Sequence, residues 1–248
     1  MLSLVSVYSI RFIIARYTPS IQNAERLYAQ GRLESALSVL ENMERGTNAQ
    51  SSIIKGKIYL SKLQRELEEE QWGFYGTDPD NWLPSPLAQK AENSFLSVLE
   101  TDPGNKDALF LLGTLYSRQG RFREAENKYN TILRYYPEDT EALFALGVLY
   151  THTDRYQTSA STLQKAWSLD TTNHLVAKKL GFLFRYYKDD PESSMVWFNR
   201  YLNLNPKGDL DINHVRMDLK DLMSRYPEVV LPEPQNWRTQ GRKFVSRR

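Results

Sequence analysis

Apolar residues recur along this chain in short stripes at helical spacing, and the stripes come in pairs. One pair lies in KDALFLLGTLYSRQGRFREAENKYNTILRYYPED, residues 106–139, with a first stripe from Ala108 to Ser117 and a second from Phe122 to Tyr135. Apolar positions three and four apart predict two helices, each burying one face. Gly120 stands between them and Pro137 closes the second. Glycine tolerates the backbone conformation of a tight turn, and proline cannot continue a helix. Residues 140–173 repeat the pattern in register: Leu109, Leu112, Gly113 and Tyr116 fall on Leu143, Leu146, Gly147 and Tyr150. The interval is about 34 residues.

Weaker copies flank these two. In residues 17–48, Ala24 and Leu27 take the places of Gly113 and Tyr116, and Gly31 to Ala36 repeats the hinge of Gly120 to Ala125. In residues 49–105, Gly56 and Tyr59 mark the first helix, which runs on into the acidic Glu66–Glu70 stretch. The second helix resumes at about Pro86, with Ala91, Phe95, Val98 and Pro103 in the expected order. The intervening insertion, residues 71–86, is too rich in proline and glycine for continuous helix, yet carries Trp72, Phe74, Tyr75 and Trp82. Those rings either fold back onto the helices or offer a secondary contact to a partner. In residues 174–207, Leu180, Gly181, Phe184, Ser194, Phe198, Tyr201 and Pro206 restore the series. Residues 208–225 form an amphipathic capping helix with Ile212, Val215, Leu219 and Leu222 on one stripe. Residues 226–248 form an extended tail with three prolines, in which every charge after Glu233 is positive. Such a tail is either solvated or meets an acidic surface.

The series Leu112, Gly113, Tyr116, Ala125, Tyr129 and Pro137 resembles the tetratricopeptide repeat, and the resemblance extends over roughly residues 17–207. It implies an all-α fold, a right-handed α-solenoid of about five helix pairs with a C-terminal capping helix and extended tail. The first helix of each pair would line a concave groove. Groove positions carried over from the family fall on Asp107, Phe110, Thr114, Ser117 and Arg118, then on Glu141, Phe144, Val148, Thr151 and His152, then on Leu175, Lys178, Phe182, Arg185 and Tyr186. From these we take Phe110, Thr114, Arg118, Phe144, Val148, His152, Lys178, Phe182, Arg185 and Tyr186 as candidate partner contacts. The family's clamp for chaperone carboxylates is missing, because Phe110 and Thr114 stand where it needs Lys and Asn. The groove reads as aromatic in its middle and basic toward the last repeat, where Lys178, Lys179, Arg185 and Lys188 gather. It suits a peptide with an apolar anchor and an acidic flank, unless the chain's own N-terminus or Val229–Pro232 fills it.

Composition narrows the chemistry. Hydrophobic residues make up 41% and charged residues 25%, as in globular proteins. With 32 basic against 30 acidic residues, the net charge of +2 gives no general case for nucleic-acid binding. There is no cysteine, so disulfides, thiolate metal sites and cysteine nucleophiles are excluded. The three histidines, His152, His174 and His214, lack metal-ligand spacing, and there is no Gly-rich phosphate loop, HExxH or GxSxG. Asp209-Leu210-Asp211 reads as a helix cap. No enzyme, cofactor, metal site or small-molecule substrate is expected.

Residues 1–16 are largely apolar, with no acid and with Arg11 and Arg16 as their charges. They fit neither a secretory signal nor a membrane span well, and read as an element packed on the first repeat or as a membrane attachment or export segment. Two functions follow. The first is a non-catalytic scaffold or adaptor holding a partner peptide or helix in the groove. The alternative is a membrane-associated assembly component of an envelope or organelle complex, tethered by residues 1–15. The compartment stays open between cytoplasmic, membrane-associated and exported.

Overall fold

The structure, a computed structural model, describes residues 20–43, 48–69, 85–204, 206 and 208–231. The N-terminal segment 1–16, the aromatics Trp72, Phe74, Tyr75 and Trp82, and the basic tail beyond 231 lie outside the described residues. Eleven helices and no strand occur among the described residues. They are α1 (Ile21–Ala29), α2 (Leu33–Glu41), α3 (Ala49–Glu69), α4 (Pro86–Thr101), α5 (Lys106–Arg118), α6 (Phe122–Tyr135), α7 (Thr140–His152), α8 (Tyr156–Leu169), α9 (His174–Tyr186), α10 (Pro191–Asn203) and α11 (Ile212–Arg225). None of these is long and apolar enough to cross a membrane.

Local chemistry sets the helix starts. Asn105, Asp139 and Asn173 recur at the repeat interval, and each accepts a backbone N–H from the first turn of α5, α7 or α9. Pro86 and Pro191 open α4 and α10, where a missing N–H costs nothing. The hinges need a left-handed residue. Gly31 (φ 72°) and Gly120 (φ 70°) supply it early, and Asp154 (φ 58°) and Asp189 (φ 48°) take the same role later.

Contact density divides the chain into two compact units, Met1–Arg121 and Phe122–Arg248. In the first, Ala24, Leu27, Leu33, Ala36, Leu37, Leu40, Ile54 and Ile58 form a core among α1, α2 and α3. The hairpin of α3 and α4 closes at Gly56, where a Cβ would fall 2.3 Å from the Phe95 ring. In the second unit a larger core joins α7 through α11, with Leu163, Leu180, Phe198, Tyr201, Val215 and Leu222 among its members. The same close approach recurs there: a Cβ on Gly147 would meet Leu163 at 2.6 Å, and one on Gly181 would meet Phe198 at 2.3 Å. Ser159 and Ser194 take the small position facing these glycines and are fully buried. Their hydroxyls donate to the Gly147 and Gly181 carbonyls at 2.7 and 3.0 Å, so burying them leaves no polar group unpaired. Val215, Leu219 and Leu222 of α11 are buried as its stripe requires, and Val229 and Leu231 pack against the same core.

Candidate partner-binding surface

In the first unit, Phe110, Thr114 and Arg118 follow one another at single-turn spacing along α5, each half-buried. The Thr114 hydroxyl donates back to the Phe110 carbonyl at 3.0 Å. An open cleft of about 390 Å³ lies elsewhere in this unit, lined by Arg32, Glu34, Lys62, Arg65 and neighbours. Its cations are engaged internally, with Lys62 on Glu34 at 2.9 Å and Arg65 on the Gly31 carbonyl at 3.1 Å.

In the second unit, α7 carries Phe144 and Val148 half-buried and His152 exposed, again one turn apart. The His152 ring lies parallel to Phe122 with centroids 6.4 Å apart. Although the residue is exposed overall, partial desolvation of its ring, and then the nearby Lys179 charge, push its pKa below the ordinary value.

The four candidates on α9 have a different fate. Lys178 is buried and its ammonium donates to both carboxylate oxygens of Asp209, at 2.9 and 2.8 Å, and to Asp211 at 2.8 Å. Burial alone would lower the Lys178 pKa, but these two carboxylates outweigh it and hold the pKa above its usual value. Arg185 donates to Asp221 at 2.9 Å, and the Tyr186 hydroxyl donates to Asp218 at 3.0 Å. Phe182 packs edge-on to Phe198 and beside His214. The last repeat's expected basic end is therefore largely neutralised by α11 and the turn before it. The Asp209–Asp211 pair is corrected too: Asp211 makes no side-chain cap to α11, and its carboxylate binds Lys178 instead.

His174 and His214 lie near single carboxylates, Asp209 at 3.9 Å and Asp218 at 3.5 Å. Among the described residues no group of three or more histidine or acidic side chains could hold a metal ion.

Residues 110–173 match a family model described as tetratricopeptide repeat. A search of curated proteins finds no significant match. Solved structures do match. The chain is 21% identical to MamA 41-end from Desulfovibrio magneticus RS-1, covering 76% of this chain and 95% of that one at a TM-score of 0.59. It is 13% identical to pilF of Pseudomonas aeruginosa, covering 84% and 89% at 0.60. It is 16% identical to YrrB, described as a TPR protein with an unusual peptide-binding site, covering 83% and 97% at 0.56. This is the tetratricopeptide-repeat fold. The residues that carry its signature are architectural.

The tetratricopeptide register also exposes a polar element that the apolar pattern misses. In the first unit, Tyr116 donates to Glu92 at 2.8 Å, Arg121 donates to the same carboxylate at 3.1 Å, and the guanidinium lies 4.0 Å over the Tyr116 ring. One repeat interval later, Glu126, Tyr150 and Arg155 rebuild the same clasp in the second unit. In both, a glutamate on a second helix is held by the signature tyrosine of the next first helix and by the arginine after its hinge. The recurrence of Glu92 at Glu126 and of Arg121 at Arg155 was the available signal.

Proposed function

We propose that this chain is a non-catalytic scaffold that holds a peptide or helix of a partner protein against the first helices of its repeats. The observation that carries the reading is on α7. Phe144, Val148 and His152 form a stripe one turn apart that is half-buried to exposed, whereas the matching stripe on α9 is engaged by α11. Rigid, pre-packed aromatic side chains bind with little ordering cost on their own side. Phe110, Thr114 and Arg118 on α5 would contribute in the same way in the first unit. That YrrB is described as having a peptide-binding site supports the reading.

Site-specific photo-crosslinking tests it. A p-benzoylphenylalanine at Val148 is compared with one at exposed Thr158 on α8, each with and without Phe144→Ala, folding being checked by circular dichroism. An adduct formed from Val148, absent from Thr158 and abolished by Phe144→Ala is the expected result. A partner captured equally from Thr158, or indifferent to Phe144→Ala, would overturn the groove assignment.

A further inference from the structure

Four cations gather on or beside α9, and three of them are engaged. Lys178 holds Asp209 and Asp211, Arg185 holds Asp221, and Lys188 donates to Gln157 at 2.5 Å. Lys179 differs. It is exposed and has no hydrogen-bond or ion-pair partner among the described residues. Among the described residues Asp211 is the one carboxylate that acts on it, and it does so only at a distance while bonded to Lys178.

Lys179 stands next to Lys178, on a stretch of α9 that comes near the end of α7. Its charge is close enough to His152 on α7 to oppose protonation there, and α7 and α9 are in contact. Val148 and Phe144 lie on α7 at one and two turns before His152, and Leu175, one turn before Lys179 on α9, is 40% exposed. Partial desolvation of Lys179 by its surroundings, and then the neighbouring Lys178 charge, push its pKa below the ordinary lysine value. A carboxylate docking there would offset the repulsion from Lys178 and would compete only with the distant Asp211, which is bonded to Lys178. The same helix shows that such pairing is feasible, since the adjacent Lys178 takes two aspartates of its own chain.

We infer, resting on the groove reading above, that the partner segment is acidic. It sets an aspartate or glutamate carboxylate on Lys179 and an apolar side chain against Phe144 and Val148. The turn before α11, with Asp209 and Asp211 on Lys178, is an internal precedent for the carboxylate contact.

A random-sequence peptide display library panned on the full chain tests the inference, using wild type, Lys179→Glu, and Phe144→Ala or the milder Val148→Ser, each confirmed folded. The expected outcome is that wild type enriches peptides with Asp or Glu beside an aromatic or aliphatic residue. Resynthesis of one such peptide with Asn or Gln in place of the acids should weaken it about ten-fold at low salt. On Lys179→Glu that difference should vanish or reverse. Acid and amide peptides binding wild type equally, or showing the same ratio on Lys179→Glu, would overturn the acidic-partner inference while leaving the groove reading intact. No enrichment on wild type above the bare support would remove both.

Discussion

Arg155 grips Glu126 with two guanidinium nitrogens, at 3.1 and 2.7 Å, while its plane lies 4.2 Å over the Tyr150 ring. The carboxylate also accepts the Tyr150 hydroxyl at 3.1 Å. One glutamate on α6 thus fixes both the first helix of the next repeat and the end of the hinge that follows it. The forked guanidinium suits the job, because it satisfies a carboxylate and stacks on a ring at once. Tyr150→Phe should cost about 1 kcal/mol, the loss of one hydrogen bond to a charged acceptor. Arg155→Ala should cost a similar amount, since the pair is partly solvated. Arg155→Lys should recover less than half of it, because a lysine can neither bond bidentately nor stack. Urea unfolding of the three variants checks this, and a full recovery by lysine would remove the geometric argument.

The same contact sets a pH dependence. Hydrogen bonds from Arg155 hold Glu126 below its ordinary value of 4.5, against a smaller opposing effect of burial. A carboxylate whose folded pKa is depressed adds stability above its unfolded pKa and loses it as pH falls through the folded one. Glu126→Gln should therefore be less stable than wild type at neutral pH, and the gap should close as pH drops below 4.5. Unfolding midpoints for the two proteins across that range test it. A gap that stays constant would mean the glutamine disturbs packing and that charge is irrelevant.

Gly147 is a place where a methyl group has nowhere to go. A Cβ there would lie 2.6 Å from the Leu163 side chain, well inside contact distance. Alanine would otherwise stabilise a mid-helix position by up to about 1 kcal/mol. The clash should reverse the sign, making Gly147→Ala destabilising by about 1–3 kcal/mol. Shortening the opposing residue should relieve it, so Gly147→Ala in a Leu163→Ala background should cost much less than in wild type. A double-mutant cycle measures the coupling, and simple additivity would show that the helices separate without resistance.

How much of this was legible depended on periodicity. The glycine and tyrosine places at Gly113, Tyr116, Gly147 and Tyr150 recur at a fixed interval with apolar neighbours, so the helix pairs and the all-helical solenoid fold could be read before any coordinates. The Glu92 and Glu126 clasps recur at the same interval but are polar, and a reading keyed to buried apolar stripes passes over them. At the hinges, Asp154 and Asp189 replace glycine, which is legible only once the register is known, because aspartate tolerates a left-handed backbone less readily. The neutralisation of α9 was not legible at all. Asp209, Asp211, Asp218 and Asp221 lie beyond the repeats, and nothing in their spacing shows which side chains of α9 they reach. The charges at the groove positions carried over onto α9 are therefore taken up by Asp209, Asp211 and Asp221.

That neutralisation yields the sharpest stability prediction. Lys178 and Asp209 have side chains only 10% and 9% exposed, whereas Asp211, the other acid on Lys178, is 45% exposed. Removing the ammonium leaves Asp209 charged and buried without its partner. Burial alone would raise its pKa, and the Lys178 hydrogen bonds are the main influence holding it below the ordinary value. Lys178→Ala should therefore cost about 3 kcal/mol or more, the range for breaking a buried pair from one side. Asp211→Asn should cost about 1 kcal/mol or less, because a solvated acid leaves no buried charge behind. Removing both charges with Lys178→Met/Asp209→Asn should restore much of the loss, since asparagine can still accept the Asp211 amide that Asp209 now accepts at 3.0 Å. Chemical denaturation ranks the three, with limited proteolysis of the α10–α11 connection as a local readout. Equal losses from Lys178→Ala and Asp211→Asn would mean that the pair is solvated and that α11 is held by its apolar stripe alone.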